Sequence, residues 1–167
     1  ARRSVKNILK EEFLVSDYSL QYKIPNILHV ELLVKKPVIA FKDIKSGSQI
    51  LVDADGKVLY DTTDSALPVI NVNGELPKEG QSIGNVNFFA LNLALGVYQM
   101  YQVREFLLQE ASLLVELPGQ FKVIFPLDGD SRILLGSLRL IYSKVQSEGN
   151  PAGVSQVDLR FTNPVLR

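Results

Sequence analysis

Apolar and polar residues follow two different periods over the first forty positions. Val5, Ile8 and Leu9 share one face of a short helix, which Ser4 is placed to cap and which runs to about Phe13. Residues 18–24 alternate between apolar and polar side chains, Pro25-Asn26 forms a turn, and residues 28–34 have the pattern of the returning strand. The pattern therefore predicts a helix followed by a strand pair, a set too small to enclose a core.

Residues 38–60 have the pattern of a strand, a loop at 46–48 and a hairpin around Asp55-Gly56, a strong turn dipeptide. Residues 61–85 are rich in Asp, Thr, Asn, Gly and Pro, which predicts a long surface connection. Apolar residues then recur every three or four positions over residues 86–101. This is the clearest helix of the chain.

The last third returns to a period of two. Residues 111–117 and 121–127 alternate on either side of Pro118-Gly119, and a turn at residues 128–130 leads to a short strand at 133–135. A second helix is predicted to start at a Ser137 cap and to end at Gly149, and residues 154–167 form a last strand that Pro164 interrupts. Consecutive strands with tight turns favour an antiparallel sheet with two helices on one face, an α+β fold.

Composition narrows the class of protein. The 167 residues are 46% hydrophobic and 22% charged, with equal numbers of acidic and basic residues, which is typical of a soluble globular domain. Zero net charge gives no reason to expect capture of nucleic acid. The absence of cysteine excludes disulfides, cysteine-based zinc sites and thiol catalysis.

No motif in the sequence supports an enzyme. His29 is the only histidine, and a lone histidine in a strand is more often a surface or half-buried residue than a ligand. Asp53-Ala54-Asp55-Gly56 hints at a calcium loop, but the glycine and the closing acidic residue do not fall at the required positions. Nucleotide-binding glycine loops and nucleophile elbows are missing. We therefore predict no catalytic residue, metal or cofactor.

An ordered series of segments gives the chain its most specific signal. "YKIPNILHVELLVKKPVIAF", "ILVDADGKVL" and "LPVINVNG" precede the long helix, and "ILLGSLRLIYSKV" and "VDLRFTNP" follow it. This series resembles the FtsQ/DivIB family of bacterial cell-division proteins. The resemblance implies a membrane helix that precedes the present segment, the C-terminal part of a POTRA domain at residues 1–40, and a curved antiparallel β domain at residues 41–167.

The resemblance also implies a function. FtsQ-like proteins are non-catalytic scaffolds of the divisome, anchored by a single membrane span, that bind FtsB- and FtsL-like partners outside the cell membrane at the septum. A partner strand would pair with the edge of the C-terminal strand. The partner-binding residues expected from the resemblance are Asp158, Arg160, Phe161, Thr162 and Asn163.

The strand period makes a separate prediction for the same segment. It places Val157, Leu159 and Phe161 on one face, expected to pack on the core, and Asp158, Arg160 and Thr162 on the other. Pro164 would limit pairing because it has no N–H group.

Two other functions are alternatives, and each makes its own structural demand. A carboxylate-based cell-wall hydrolase or carbohydrate-binding domain would need an aromatic-lined groove with two close carboxylates. An outer-membrane-assembly protein would need several tandem POTRA domains, whereas this sequence holds part of one at most.

Overall fold

The computed structural model describes residues 2–149 and 153–167. The chain forms two compact units that divide between Pro37 and Val38. The sequence placed this boundary after residue 40, which lies inside a strand of the second unit. No helix in the described part of the chain is long and apolar enough to cross a membrane.

The first unit is a helix followed by a hairpin. Helix α1 (Arg2–Glu11) precedes strands β1 (Val15–Lys23) and β2 (Ile27–Val34), which pair in antiparallel fashion. This order confirms the helix and the strand pair, but Ser4 lies inside the helix and does not cap it. None of the side chains described in residues 3–37 is buried, so this unit has no closed core of its own.

The second unit is built on a sheet that has nine strands among the described residues, in the order β11-β10-β9-β8-β7-β6-β3-β4-β5. The strands are β3 (Ile39–Asp43), β4 (Gln49–Val52), β5 (Val58–Thr62), β6 (Val69–Val72), β7 (Glu105–Gln109), β8 (Ser112–Leu117), β9 (Phe121–Pro126), β10 (Gln156–Asp158) and β11 (Val165–Leu166). The helices are α2 (Asn85–Tyr101) and α3 (Ser131–Ser147).

The sheet is mixed, so the prediction of an antiparallel sheet is wrong in this respect. β3 pairs with β6, β6 with β7, and β10 with β9 in parallel fashion. In each parallel pair, a long connecting segment separates the two strands in sequence, as parallel pairing requires. Tight turns in the sequence predict only the hairpins. Strands that pair across a long separation in sequence have no local pattern that predicts the pairing.

Two strands near the middle of the sheet were not predicted. β6 lies within the expected surface connection at residues 61–85, and β7 follows α2 directly. β6 has only four residues, and it is stabilised by pairing with β3 and β7 on its two sides. A run this short has little intrinsic preference, so its neighbours decide its conformation.

One face of the sheet carries the core. Register places Phe41, Ile70, Phe106, Val115 and Val123 side by side across five strands, and all five are buried. The buried helix residues in the same apolar cluster are Ala90, Leu91, Leu93, Ala94, Val97 and Leu138. Both helices therefore contribute to the core of this sheet, and the α+β fold with covering helices is confirmed.

The two helices also contact each other closely. A Cβ atom added to Gly96 of α2 would overlap with the Leu135 side chain of α3. The ring centroids of Tyr101 and Tyr142 are 5.1 Å apart in an edge-to-face arrangement. The absence of a side chain at position 96 thus lets α3 approach α2.

Helix α3 starts earlier than predicted. The Asp130 side chain accepts hydrogen bonds from the backbone N–H groups of Arg132 and Ile133, so Asp130 is the N-cap. Residues 133–135, expected as a strand, and Ser137, expected as a cap, lie within the helix. The apolar run at 133–135 is compatible with either structure, and the cap at Asp130 decides for the helix.

A carboxylate organises the turn between β3 and β4. Asp43 accepts hydrogen bonds from the N–H groups of Lys45 and Ser46, at 3.2 and 3.0 Å, and from the Ser46 hydroxyl at 2.5 Å. These bonds favour the ionised form, the Ser46 hydroxyl most strongly, and lower the pKa of Asp43 to about 2.

We expect Asp43 to make the protein sensitive to acid. Its folded pKa of about 2 lies below the usual value of 3.8, so its contribution is present above the usual value and is lost as the pH falls through the folded value. Asp43→Asn should therefore flatten the fall in melting temperature over this interval. Asp55→Asn, at an exposed turn residue, is the control. An unchanged acid dependence in the Asp43 variant would contradict this assignment.

Candidate partner-binding edge

The C-terminal segment folds back on itself, so the single strand predicted for residues 154–167 is wrong. β10 ends at Asp158, residues 160–163 form bends, and β11 returns antiparallel to β10. Asn163-Pro164 marks the point where the chain resumes an extended course, consistent with the preference of this dipeptide for turns. β10 is therefore an interior strand, and β11 is the terminal strand of the sheet.

A buried ion pair fixes the turn. Asp158 is 1% exposed, and its carboxylate accepts hydrogen bonds from the Arg160 guanidinium at 2.9 and 2.6 Å and from the Arg160 N–H at 3.1 Å. The Arg160 guanidinium, which donates the strongest of these bonds, holds the pKa of Asp158 below its usual value. The cation is half exposed, so the pair joins the sheet to the solvent-facing turn.

The five residues expected to bind a partner do not share one environment. Asp158 is buried, whereas Arg160, Phe161, Thr162 and Asn163 are exposed in the turn that leads into β11. Val157 and Leu159 pack in the core as predicted. Phe161 does not, because the chain turns at Arg160 and the alternation of the strand ends; the ring is 54% exposed. The central carbon of the Arg160 guanidinium lies 6.0 Å from the centroid of the Phe161 ring.

The β5 edge of the sheet is covered by its own chain. The N–H of Val58 donates to the Gln81 carbonyl, and the N–H of Gly80 donates to the Val58 carbonyl, both at 2.9 Å. Further along β5, the Asp61 N–H donates to a Glu79 carboxylate oxygen at 3.2 Å. The segment from Glu79 to Gln81 thus bonds to the N–H and C=O of Val58 and to the N–H of Asp61, which this edge would otherwise offer to another strand.

The β11 edge has a different arrangement. Gln156 and Arg167 exchange both backbone hydrogen bonds, each of 2.9 Å. In an antiparallel pair the next residue points its N–H and C=O the opposite way, so those of Leu166 face away from β10. No backbone group from the described residues bonds to Leu166 on that side. Pro164 occupies the other outward position and has no N–H to offer.

The residues expected from the sequence to bind a partner did not include Val165 and Leu166, which form the terminal strand of the sheet. The sequence placed both residues in one continuous strand from 154 to 167, whereas their pairing with β10 depends on the turn held by Asp158 and Arg160. The Asn163-Pro164 dipeptide was the one available sign of a turn there.

Other chemistry has less support among the described residues. No group of three or more His, Asp or Glu side chains is placed to hold a metal ion in this part of the chain. His29 lies in β2, half exposed, 3.4 Å from a Glu31 carboxylate oxygen. Compared with known proteins, the chain matches no family model and no curated sequence.

Proposed function

We propose that this chain is the extracytoplasmic part of a non-catalytic scaffold of the bacterial divisome, similar to FtsQ/DivIB proteins. On this proposal a membrane span outside the present segment anchors it, and the first unit, predicted as residues 1–40 and ending at Pro37 in the structure, is the C-terminal part of a POTRA domain. The partner is an FtsB- or FtsL-like division protein that adds a strand to β11. The order of the segments along the sequence is the basis for the family assignment.

One observation supports the edge-pairing mechanism above the others: among the described residues, backbone groups on the β5 edge have bonding partners from the same chain, whereas the outward groups of Leu166 on the β11 edge have none. At β5, residues 79–81 bond to the N–H and C=O of Val58 and to the N–H of Asp61. At β11, Leu166 keeps an outward N–H and C=O. An open edge is a template for an incoming strand, and backbone hydrogen bonds supply the affinity in this mode of recognition.

The side chains near β11 suggest how a partner is selected. Phe161 and Leu166 are 54% and 47% exposed and lie on either side of Pro164 in the sequence. Exposed aromatic side chains are common anchors at interfaces. Pro164 limits pairing to a short stretch, which reduces indiscriminate pairing between edges. We expect a partner to combine a short strand with an apolar contact near Phe161.

Calorimetry with the extracytoplasmic segment of an FtsB-like partner tests this proposal. Leu166→Pro removes the outward N–H without removing a bond to β10, and should weaken binding about tenfold through the lost hydrogen bond and the mismatch it leaves in the partner. Leu166→Ala keeps the N–H and is the matched control, expected to stay within about threefold of the parent affinity.

Circular dichroism must show that both variants stay folded. Equal weakening by proline and alanine would show that the Leu166 side chain, and not its backbone, carries the contact. Failure of the intact protein to bind would contradict the edge-pairing proposal itself.

A further inference from the structure

An acidic cleft lies at the opposite end of the sheet from β11. It is formed by the turn between β3 and β4, the end of β5 and residues 75–79, and its volume is about 1330 Å³. Four carboxylates line it, from Asp43, Asp61, Glu75 and Glu79, against one cation, Lys78. We call this surface the acidic cleft. Its volume exceeds the range of about 300 to 1,000 Å³ typical of sites for small ligands.

Two of the four carboxylates have no hydrogen-bond or ion-pair partner among the described residues. Asp43 organises its own turn, and Glu79 accepts the Asp61 N–H. The side-chain carboxylates of Asp61 and Glu75 are exposed and form no hydrogen bond or ion pair with any described residue. Neighbouring like charges that stay unpaired attract a cationic ligand.

A buried amide in the same cleft gives an independent sign of a ligand. Gln49 is 6% exposed and lines the acidic cleft, yet its Nε2 has no hydrogen-bond partner. A buried donor without an acceptor is destabilising, and such groups are rare in native proteins. A half-turn of the amide exchanges its N–H and C=O ends, so Gln49 is able to bond to either end of a peptide group.

We propose that the acidic cleft binds a lysine- or arginine-containing peptide segment of a partner protein. The basic side chains would lie near Asp61 and Glu75, and the peptide backbone would bond to Gln49. A single metal ion is a poorer fit, because the described carboxylates here do not converge into a metal-binding group. This site is separate from the β11 edge, so the two proposals succeed or fail independently.

Fluorescence anisotropy with a short labelled peptide of alternating lysine and glycine provides the test, at low and at raised salt. The same peptide with glutamine in place of lysine is the neutral control, and free lysine tests whether a small amine suffices. We expect the lysine peptide to bind best and to weaken as salt rises. In two-dimensional NMR spectra, the Gln49 side-chain amide should shift on binding.

Two sets of variants separate the cleft from general electrostatics. Asp61→Asn with Glu75→Gln should weaken the lysine peptide about fivefold, as expected for the loss of two exposed ion pairs. Glu110→Gln with Glu116→Gln removes the same charge from exposed positions outside the cleft and should leave affinity unchanged. Equal weakening by both pairs, or equal binding of free lysine and the peptide, would overturn the proposal.

Gln49→Met gives a signature that a purely structural residue would not show. Removing the orphaned donor should raise the melting temperature by about 3 °C, while the lost bond to the peptide should weaken binding several-fold. Unchanged peptide affinity in this variant, or failure of the parent protein to bind the lysine peptide at low salt, would contradict the assignment.

Discussion

Replacing Phe106 with alanine is expected to lower the free energy of unfolding of residues 38–167 by about 4 kcal/mol. Phe106 is 1% exposed and lies between Ile70 and Val115 in the row of buried side chains that crosses the sheet. Truncation removes an aromatic ring and leaves a cavity that the paired strands on both sides prevent from collapsing. Urea denaturation followed by circular dichroism measures the loss.

Leu107→Ala is the matched control for this prediction. Leu107 is the next residue of β7, so its side chain points to the other face of the sheet, where it is partly exposed beside Leu114. We expect it to cost about 1 kcal/mol, because less apolar surface is lost and water fills the space. Equal losses from both substitutions would contradict the placement of Phe106, and not of Leu107, in the core under the helices.

The second large effect is expected at the ion pair that holds the β10–β11 turn. Asp158→Ala removes a buried carboxylate that accepts three hydrogen bonds from Arg160. Hydrogen bonds to a charged group are stronger than neutral ones, so we expect a loss of about 3 kcal/mol. Because β11 follows this turn, the same substitution should also weaken partner binding, measured by calorimetry at a temperature where the variant stays folded.

The loss of melting temperature caused by Arg160→Met should be larger at neutral pH than in acid. In the parent protein the folded pKa of Asp158 is lowered, so its contribution is present above the unfolded pKa and is lost as the pH falls through the folded pKa. Without Arg160 the carboxylate stays buried, and burial raises its pKa. The loss of melting temperature is then greatest at neutral pH and diminishes in acid, when Asp158 is protonated. A deficit independent of pH would contradict this account of the pair.

Local sequence pattern predicted the helices and strands that have a strong hydrophobic period. It failed for elements whose conformation depends on contacts with residues far away in the sequence. The α2 helix and the hairpins at Asp55-Gly56 and Pro118-Gly119 follow from residues close in sequence, and the structure has all three. β6 and β7 and the parallel pairs depend on neighbours that lie far along the chain. The α+β class was predictable because apolar faces of two helices and several strands require burial together.

The sequence singled out the C-terminal segment as the candidate edge, but the geometry of this segment was not predictable from local pattern. Phe161 was placed in the core by extending a strand period past Arg160, and the buried Asp158–Arg160 pair ends that period. Whether β10 or β11 is outermost depends on the reversal at residues 160–163, which alternation alone does not reveal. Local sequence pattern also did not predict that residues 79–81 cover the β5 edge.

The most direct measurement of the proposed function is hydrogen exchange at the Leu166 amide, followed by NMR with and without the FtsB-like segment. Its N–H faces outward in the free protein, so exchange should be fast, and a paired partner strand should slow it by about tenfold or more. The Val58 amide on the covered edge should not change. Protection at Leu166 would support edge pairing at β11, and binding that leaves this amide unprotected would contradict it.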